Sequence, residues 1–369
     1  MKIERIELRL IEIPLTEPFE IASHRFLTKT AIILKAWTRE GYLGWSEGEH
    51  LETPWYVPET VESGWSLLSE VLLPSLIGLD FSSAEEVAQR FSWIQGNQLS
   101  LAAVDVLAWD LISQQQKKSL AATLGGIRDR VPAGISLGLC SSPRELVEHV
   151  TTAAGNGYQR IKVKIKPGKD IAYLEQVRSE FPHLPIMADA NSSYSPADVD
   201  TLKALDRFDL MMIEQPYANG DLVHHAELAA VIATPICLDE SIHNLHEARS
   251  AVALGACGIV NIKPPRIGGP GSVVQMESFL RGRGIPVWCG GMLEAGIGRA
   301  VNIACASLEG FCLPGDLAAP LTYLEHDIVV DKFDLLADGT IKVPDKPGIG
   351  VEVDEEYLNH CTKRFKVFS

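Results

Sequence analysis

The chain has 369 residues, 46% of them hydrophobic and 22% charged, with a formal net charge of −15, a pI near 5.1 and a mean hydropathy of +0.07. This composition excludes a mostly disordered or fibrous chain, and its acidic surplus argues against nucleic acid or an anionic membrane as the main partner, since both reward clustered Lys and Arg. A small anionic substrate must then be drawn in by a local positive site.

At the N-terminus, MKIERIELRLIEIPL alternates charge with Ile and Leu, lacks the apolar stretch of a signal peptide and reads as a strand. TAIILKAWT and YLGWSEGE, on either side of a turn at Glu40–Gly41, read as further antiparallel strands. Residues 59–124 read as helices, with apolar spacing through Ser100–Gly126 that stops at a Gly pair. The richest apolar run, LAAVDVLAWDLI, is broken by Asp105 and Asp110 and is too short to span a bilayer, so a cytoplasmic protein with no membrane partner is expected. An α+β capping domain is expected over residues 1–125.

From Val131 onward, short β-branched runs alternate with helical segments. Their starts, at 131, 160, 186, 210, 235, 258, 286 and 311, recur about every 25 residues, the length of one βα unit. Eight units predict an α/β fold with a (β/α)₈, TIM-like barrel over 126–319, its last helix missing or irregular. No G-x-G-x-x-G follows the first strand, which disfavours a dinucleotide-binding sheet. The tail, 320–369, returns to strand and turn character and is expected to join the capping domain. Seven cysteines (Cys140, Cys237, Cys257, Cys289, Cys305, Cys312, Cys361) are scattered, without a C-x-x-C pair, and suggest neither a disulfide framework nor a zinc site.

The charged residues on this repeat carry the chemistry. Lys164, Asp189, Glu214 and Asp239 follow one another at intervals of 25, and Lys263 comes 24 later, which predicts one charge at the same height on five successive strands. Such positions lie near the C-terminal strand ends, where barrels build active sites. By strand alternation Lys162 and Lys164 face the barrel mouth, while Ile161, Val163 and Ile165 face the helices. Asp189, Glu214 and Asp239 offer an oxygen-only metal site suited to Mg²⁺, with Mn²⁺ as a substitute, rather than to zinc. Lys164 and Lys263, on the strands before and after the acids, are candidate acid/base groups, and Lys162 is placed to lower the pKa of Lys164. A carboxylate beside Mg²⁺ can spread the charge left when its α-proton is taken, the enediolate logic described for enolase-type enzymes. Salt bridges merely plugging a barrel would not place three adjacent acids together without a cation.

These residues resemble the enolase superfamily, and within it the o-succinylbenzoate synthase and N-succinylamino acid racemase family. The resemblance spans nearly the whole chain, through AWDLISQQQKKSLAATLGG, GYQRIKVKIKPGKD, MADANSSYS, MMIEQPYANGDLVHHAEL, PICLDESI, IVNIKPPRIGG and PVWCGGMLEAGIGRA. It implies that Asp189, Glu214 and Asp239 hold the metal, that Lys164 and Lys263 are the acid/base pair, and that Lys162 helps bind the carboxylate. It implies further that Gly291, Met292 and Leu293 receive a succinyl end and that Phe19–Phe26 and Trp55 belong to loops closing over the site. Asn191 and Ser136 are expected to face the substrate. Arg266 matches a position associated with racemase-type members, where it could tune Lys263. Departures lie in EIASHRFLT, in Gln95 before Gly96–Asn97, and in the apolar residues after Asp316, and they bear on specificity. Two reactions share the implied first step: racemisation of an N-acylated amino acid, and the dehydration that yields o-succinylbenzoate for menaquinone synthesis. A muconate cycloisomerase-like lactonising enzyme and a non-catalytic barrel scaffold are the alternatives. A homo-oligomer is expected.

Overall fold

The computed structural model describes residues 1–21 and 24–369. Two long strands, β1 (Ile3–Glu20) and β2 (Arg25–Thr38), form an antiparallel hairpin, joined by β3 (Leu43–Gly48). Helices α1 (Val61–Leu67), α2 (Leu73–Leu76), α3 (Ala84–Arg90), α4 (Gln98–Gln115) and α5 (Leu120–Leu124) follow. The predicted strands were shorter: β1 and β2 extend past Pro14 and Thr28 because a register shift there lets the hairpin arm continue to Phe19–Phe26.

The barrel then alternates as its period predicts. The elements are β4 (Arg130–Ser136), α6 (Pro143–Gly155), β5 (Arg160–Lys164), α7 (Ile171–Glu180), β6 (Ile186–Asp189), α8 (Val199–Ala204), β7 (Ile213–Glu214), α9 (Leu222–Ala229), β8 (Ile236–Leu238), α10 (Leu245–Leu254), β9 (Ile259–Ile262), α11 (Pro270–Arg281), β10 (Val287–Cys289), α12 (Gly296–Ala306) and β11 (Gly315–Asp316). Ser142, Asp221 and Asn244 accept backbone N–H groups at the starts of α6, α9 and α10, which is why these helices begin there. Strands β4 to β10 pair in parallel order, β11 joins β4, and a bridge between Val287 and Phe311 closes the ring. After β11, where an eighth barrel helix would stand, the described residues form a short 3₁₀ turn, Pro320–Thr322, instead. The tail adds β12 (Thr340–Lys342) to the start of β4, then α13 (Glu355–Cys361), and β13 (Thr362–Phe368) pairs with β1.

Inside the barrel, Met187, Met212, Cys237, Ile259 and Trp288 make an apolar floor, all buried. Trp288 donates its indole N–H to Cys237 Sγ at 3.3 Å, and the Arg160 guanidinium lies 4.8 Å from its ring centre. The cap is seated on the barrel partly by Asp105 of α4, which accepts the Gly271 N–H of α11 at 2.9 Å. Burial pushes the Asp105 carboxyl up to about 7.

Two outcomes follow. Trp288→Ala should cost about 3–5 kcal/mol, the usual loss for emptying a large buried aromatic site, read as a lowered urea midpoint. A folded-state carboxyl raised above its ordinary value near 3.9 makes the folded protein bind the extra proton, so stability should fall as pH rises from about 4 to about 7. Asp105→Asn should flatten that fall in urea titrations across the same range.

Candidate active site

Parallel register pairs Lys164 with Asp189 and Asp189 with Glu214, a lateral row across β5, β6 and β7. On β8 the row meets Cys237, and on β9 Ile259. Asp239 therefore stands two residues beyond the row and Lys263 four. The expectation of five charges at one height holds for three. Strands tilted in a closed barrel are staggered against their neighbours, so even spacing in sequence becomes a spiral that climbs around the mouth.

Each charge on the spiral has an opposite partner. Lys164 Nζ donates to Asp189 Oδ2 at 2.6 Å and to Asn191 Oδ1 at 2.7 Å. Lys162 Nζ spans Asp316 at 2.7 Å, Glu214 at 3.2 Å and Asp189 at 3.3 Å. Lys263 Nζ donates to Asp239 Oδ2 at 2.9 Å and sits 4.7 Å from the Tyr56 ring centre. Arg266, fully buried, is ion-paired with Asp239 Oδ1 and donates to the Tyr56 hydroxyl at 2.9 Å and to the carbonyls of Asn261 and Ile242. It thus reaches Lys263 through Asp239 rather than by contact. Arg160 donates to Asp316 at 2.6 Å, and Glu240 accepts from Asn191 at 2.9 Å.

Arg160, Lys162, Lys164, Lys263 and Arg266 are thereby set against Asp189, Glu214, Asp239, Glu240 and Asp316, five cations to five carboxylates, all buried. Among the described residues no three His, Cys, Asp or Glu side chains close on one point; here ammonium and guanidinium groups separate the acids. The donors from β6, β7 and the end of β8 are nonetheless oxygen-only, and Lys162 already spans two of them, so the position suits a hard cation.

The surroundings drive the lysines apart. Burial lowers the Lys164 ammonium, Asp189 opposes this and Lys162 adds to it, leaving it below the usual lysine value. Burial also pulls on Lys263, but Tyr56 and Glu240 outweigh it and hold it above. Burial would raise Asp189, yet Lys164 and Lys162 bring it down to about 2. Burial and the Asp189 charge lift Glu240 to about 7 and also raise Glu214.

Above the charges lies a cavity of about 470 Å³. Of the residues singled out in the sequence, Phe19, Trp55, Ser136, Lys162, Lys164, Asn191, Lys263, Gly291, Met292 and Leu293 line it, whereas Asp189, Glu214, Asp239 and Arg266 lie behind its wall. Ala22 and Ser23, in the predicted closing loop, lie outside the described residues. His24 stacks on Trp55 with ring centres 5.5 Å apart and planes 9° from parallel, and Phe26 and Tyr56 pack on the same indole. Phe19 packs edge-on against Tyr323, whose hydroxyl donates to the Ser136 carbonyl at 3.2 Å.

Sequence reading overlooked several members of the site. Arg160 shares the alternation that places Lys162 and Lys164 inward, and Asp316 ends the eighth strand, so both carried a usable signal. Glu240 directly follows Asp239. Asn261, which donates to Glu214 at 2.7 Å, and Tyr56, which donates to Asp239 at 3.1 Å, had none: one reads as an ordinary strand residue, the other arrives from the cap.

Comparison with known proteins agrees with this architecture. Residues 5–125 match the family model of the mandelate racemase/muconate lactonizing enzyme N-terminal domain, and residues 145–357 match that of the enolase C-terminal domain-like family. The chain is 43% identical to an o-succinylbenzoate synthase of Geobacillus stearothermophilus, over 100% of this chain and 98% of the relative. It is 41% identical to an N-succinylamino acid racemase of Thermus thermophilus, over 98% of each. A crystal structure of an enolase superfamily member from Listeria innocua superposes with a TM-score of 0.96 at 39% identity, covering 100% of this chain and 99% of that one. Among the described residues no helix is long and apolar enough to cross a membrane.

The pairing makes one outcome specific. Arg160→Met should cost about 3–5 kcal/mol, because Asp316 loses a buried partner, while Arg160→Met/Asp316→Leu should recover part of that loss in urea unfolding.

Proposed function

Because the chain belongs to the mandelate racemase/muconate lactonizing enzyme group of the enolase superfamily, and is an enzyme, we propose that it removes the α-proton of an N-succinylated amino acid and returns a proton to the opposite face. The observation that carries this reading is that Lys164 and Lys263 open into one cavity while each is tethered to a different acid of the spiral, Asp189 and Asp239. Lys164 takes the proton from one enantiomer, and Lys263 delivers one from the other side; the reverse direction exchanges their roles. Lys162 draws the substrate carboxylate toward the acids. In this reading residues 126–319 carry the chemistry, and residues 1–125 with 320–369 close over it.

Asp189, Glu214 and Asp239 would hold a divalent cation, Mg²⁺ or Mn²⁺ in its place. When bound, that ion neutralises the charge that builds on the substrate carboxylate as the α-proton leaves. Gly291 and Leu293 line the same cavity, and their N–H groups, which have no partner among the described residues, can receive the succinyl carboxylate. The aromatic wall of His24, Phe26 and Trp55 suits an apolar amino-acid side chain.

A second reading keeps the first step, and the naming of the relatives at 43% and 41% identity favours it equally. In a dehydration that forms o-succinylbenzoate, Lys164 takes the α-proton and returns it to the hydroxyl that leaves from the adjacent carbon as water. The Lys263 cation then only faces the ring.

In D₂O with Mg²⁺, N-succinylphenylalanine should lose its α-proton signal, and a chelator should stop this. Lys164→Ala and Lys263→Ala should each lower racemisation by about 10²- to 10⁴-fold, the usual weight of an acid/base group, each sparing slow exchange from one enantiomer only. Loss of activity on the dehydration substrate in Lys164→Ala alone, with no exchange of any N-acyl amino acid by the unaltered enzyme, would select the second reading.

A further inference from the structure

Outside the acid/base spiral, a second buried charge network crosses from the cap to the barrel. Lys29 of β2 is 4% exposed and pairs with Glu49, just past β3; it also donates to the Met292 carbonyl at 3.3 Å. Glu47 of β3 accepts the Ala295 N–H at 2.8 Å and the Gly298 N–H at 2.7 Å, so a cap side chain caps the start of the barrel helix α12. Glu294 accepts the Met292 N–H at 2.6 Å and lies 2.8 Å from Arg299. Arg299 in turn donates to the carbonyl of Asp316, the residue that pairs with Lys162.

Every one of these side chains is buried, and together they hold the loop between β10 and α12 at both of its faces. The loop needs holding. Leu293 sits at φ +60°, a left-handed conformation that costs a side chain about 1 kcal/mol or more. A Cβ on Gly298 would lie 2.6 Å from Glu49 Oε1, so glycine is what lets the cap acids approach the helix start. Three acids face two cations here, and burial together with the Glu47 charge keeps Glu49 well above the usual carboxylate range.

We propose that Lys29, with Glu47 and Glu49, is a positioning element: it fixes the Gly291–Leu293 backbone from the cap side and thereby sets affinity for the acyl end of the substrate, without touching the reacting carbon. This rests on the reading of that loop as the receiver of the acyl carboxylate. Cap closure and acyl recognition become one event, because the strand that covers the cavity also holds the loop that grips the acyl group.

The test uses the whole chain with Mg²⁺ and two variants, Lys29→Met and Lys29→Met/Glu49→Gln, the second also removing the carboxylate that Lys29 pairs with. Exchange of the α-proton is followed for N-succinylphenylalanine and for N-acetylphenylalanine, which lacks the distal carboxylate. The double variant should lose roughly 10- to 100-fold in kcat/KM on the succinyl substrate, the scale of an ångström-level misplacement. Most of the loss should lie in KM, and the acetyl substrate should change less than about threefold. Amide hydrogen exchange of a peptide covering residues 288–296 should quicken in the variant while peptides over β5 and β6 stay protected. Equal loss on both substrates, or unchanged exchange of the 288–296 peptide, overturns the proposal. If the unaltered enzyme processes neither substrate, the functional reading fails instead, and the amide-exchange arm still decides whether Lys29 fixes the loop.

Discussion

Burying a charge away from water costs several kcal/mol unless an opposite charge and hydrogen bonds replace the solvent, and the barrel mouth buries ten. That constraint governs the rest of the molecule. The parallel register of β5, β6 and β7 has to bring Lys164, Asp189 and Glu214 abreast, and β11 has to close the ring so that Asp316 meets Arg160 and Lys162. A slip of one residue on any of these strands would turn its charge toward the apolar helices. The apolar floor that includes Trp288 seals this layer from below, on the side where a low dielectric strengthens electrostatic interactions.

The cap does more than cover. Its β1–β2 arm carries Phe19, His24 and Phe26, its next loop carries Trp55 and Tyr56, and Tyr56 reaches through to Asp239 and Arg266. Chemistry and selectivity are thus divided between two parts of the chain that meet at a single cavity. In the proposed reaction, side chains at the barrel strand ends would handle the proton, and loops of the cap, with the barrel loop Gly291–Leu293, would choose what is presented to them. Such a division lets one scaffold host different substrates by changing loops, and two of the three departures of this chain, EIASHRFLT and Gln95, fall on the cap, while the third follows Asp316 at the end of the last barrel strand.

The sequence was most legible where a period repeats. Eight strand starts, the inward face of Lys162 and Lys164, and the acids at intervals of 25 all follow from alternation and from the length of a βα unit. It was least legible where contacts join distant segments. Stagger between strands leaves no trace in spacing, so Asp239 and Lys263 looked level with Glu214 and are not. Arg266 could be read as tuning Lys263, but only the fold shows that the two residues meet through Asp239 and Tyr56 rather than in contact. Glu47 and Glu49 fall in the predicted strand YLGWSEGE and Lys29 just before TAIILKAWT; their burial appears only once α12 is docked beneath them.

The pairing of β1 with β13 joins Ile6 to Phe368, so an inner strand of the cap sheet waits for nearly the whole chain before its second edge is covered. At roughly 5–20 residues per second of synthesis, that edge stands open for something like 20–70 s. An unpaired, Ile-rich edge is a template for pairing with another chain. Production of this protein at high concentration should therefore be limited by association of nascent chains rather than by the stability of the finished fold, and slower initiation or a chaperone that shields strands should raise the yield more than any substitution in the core.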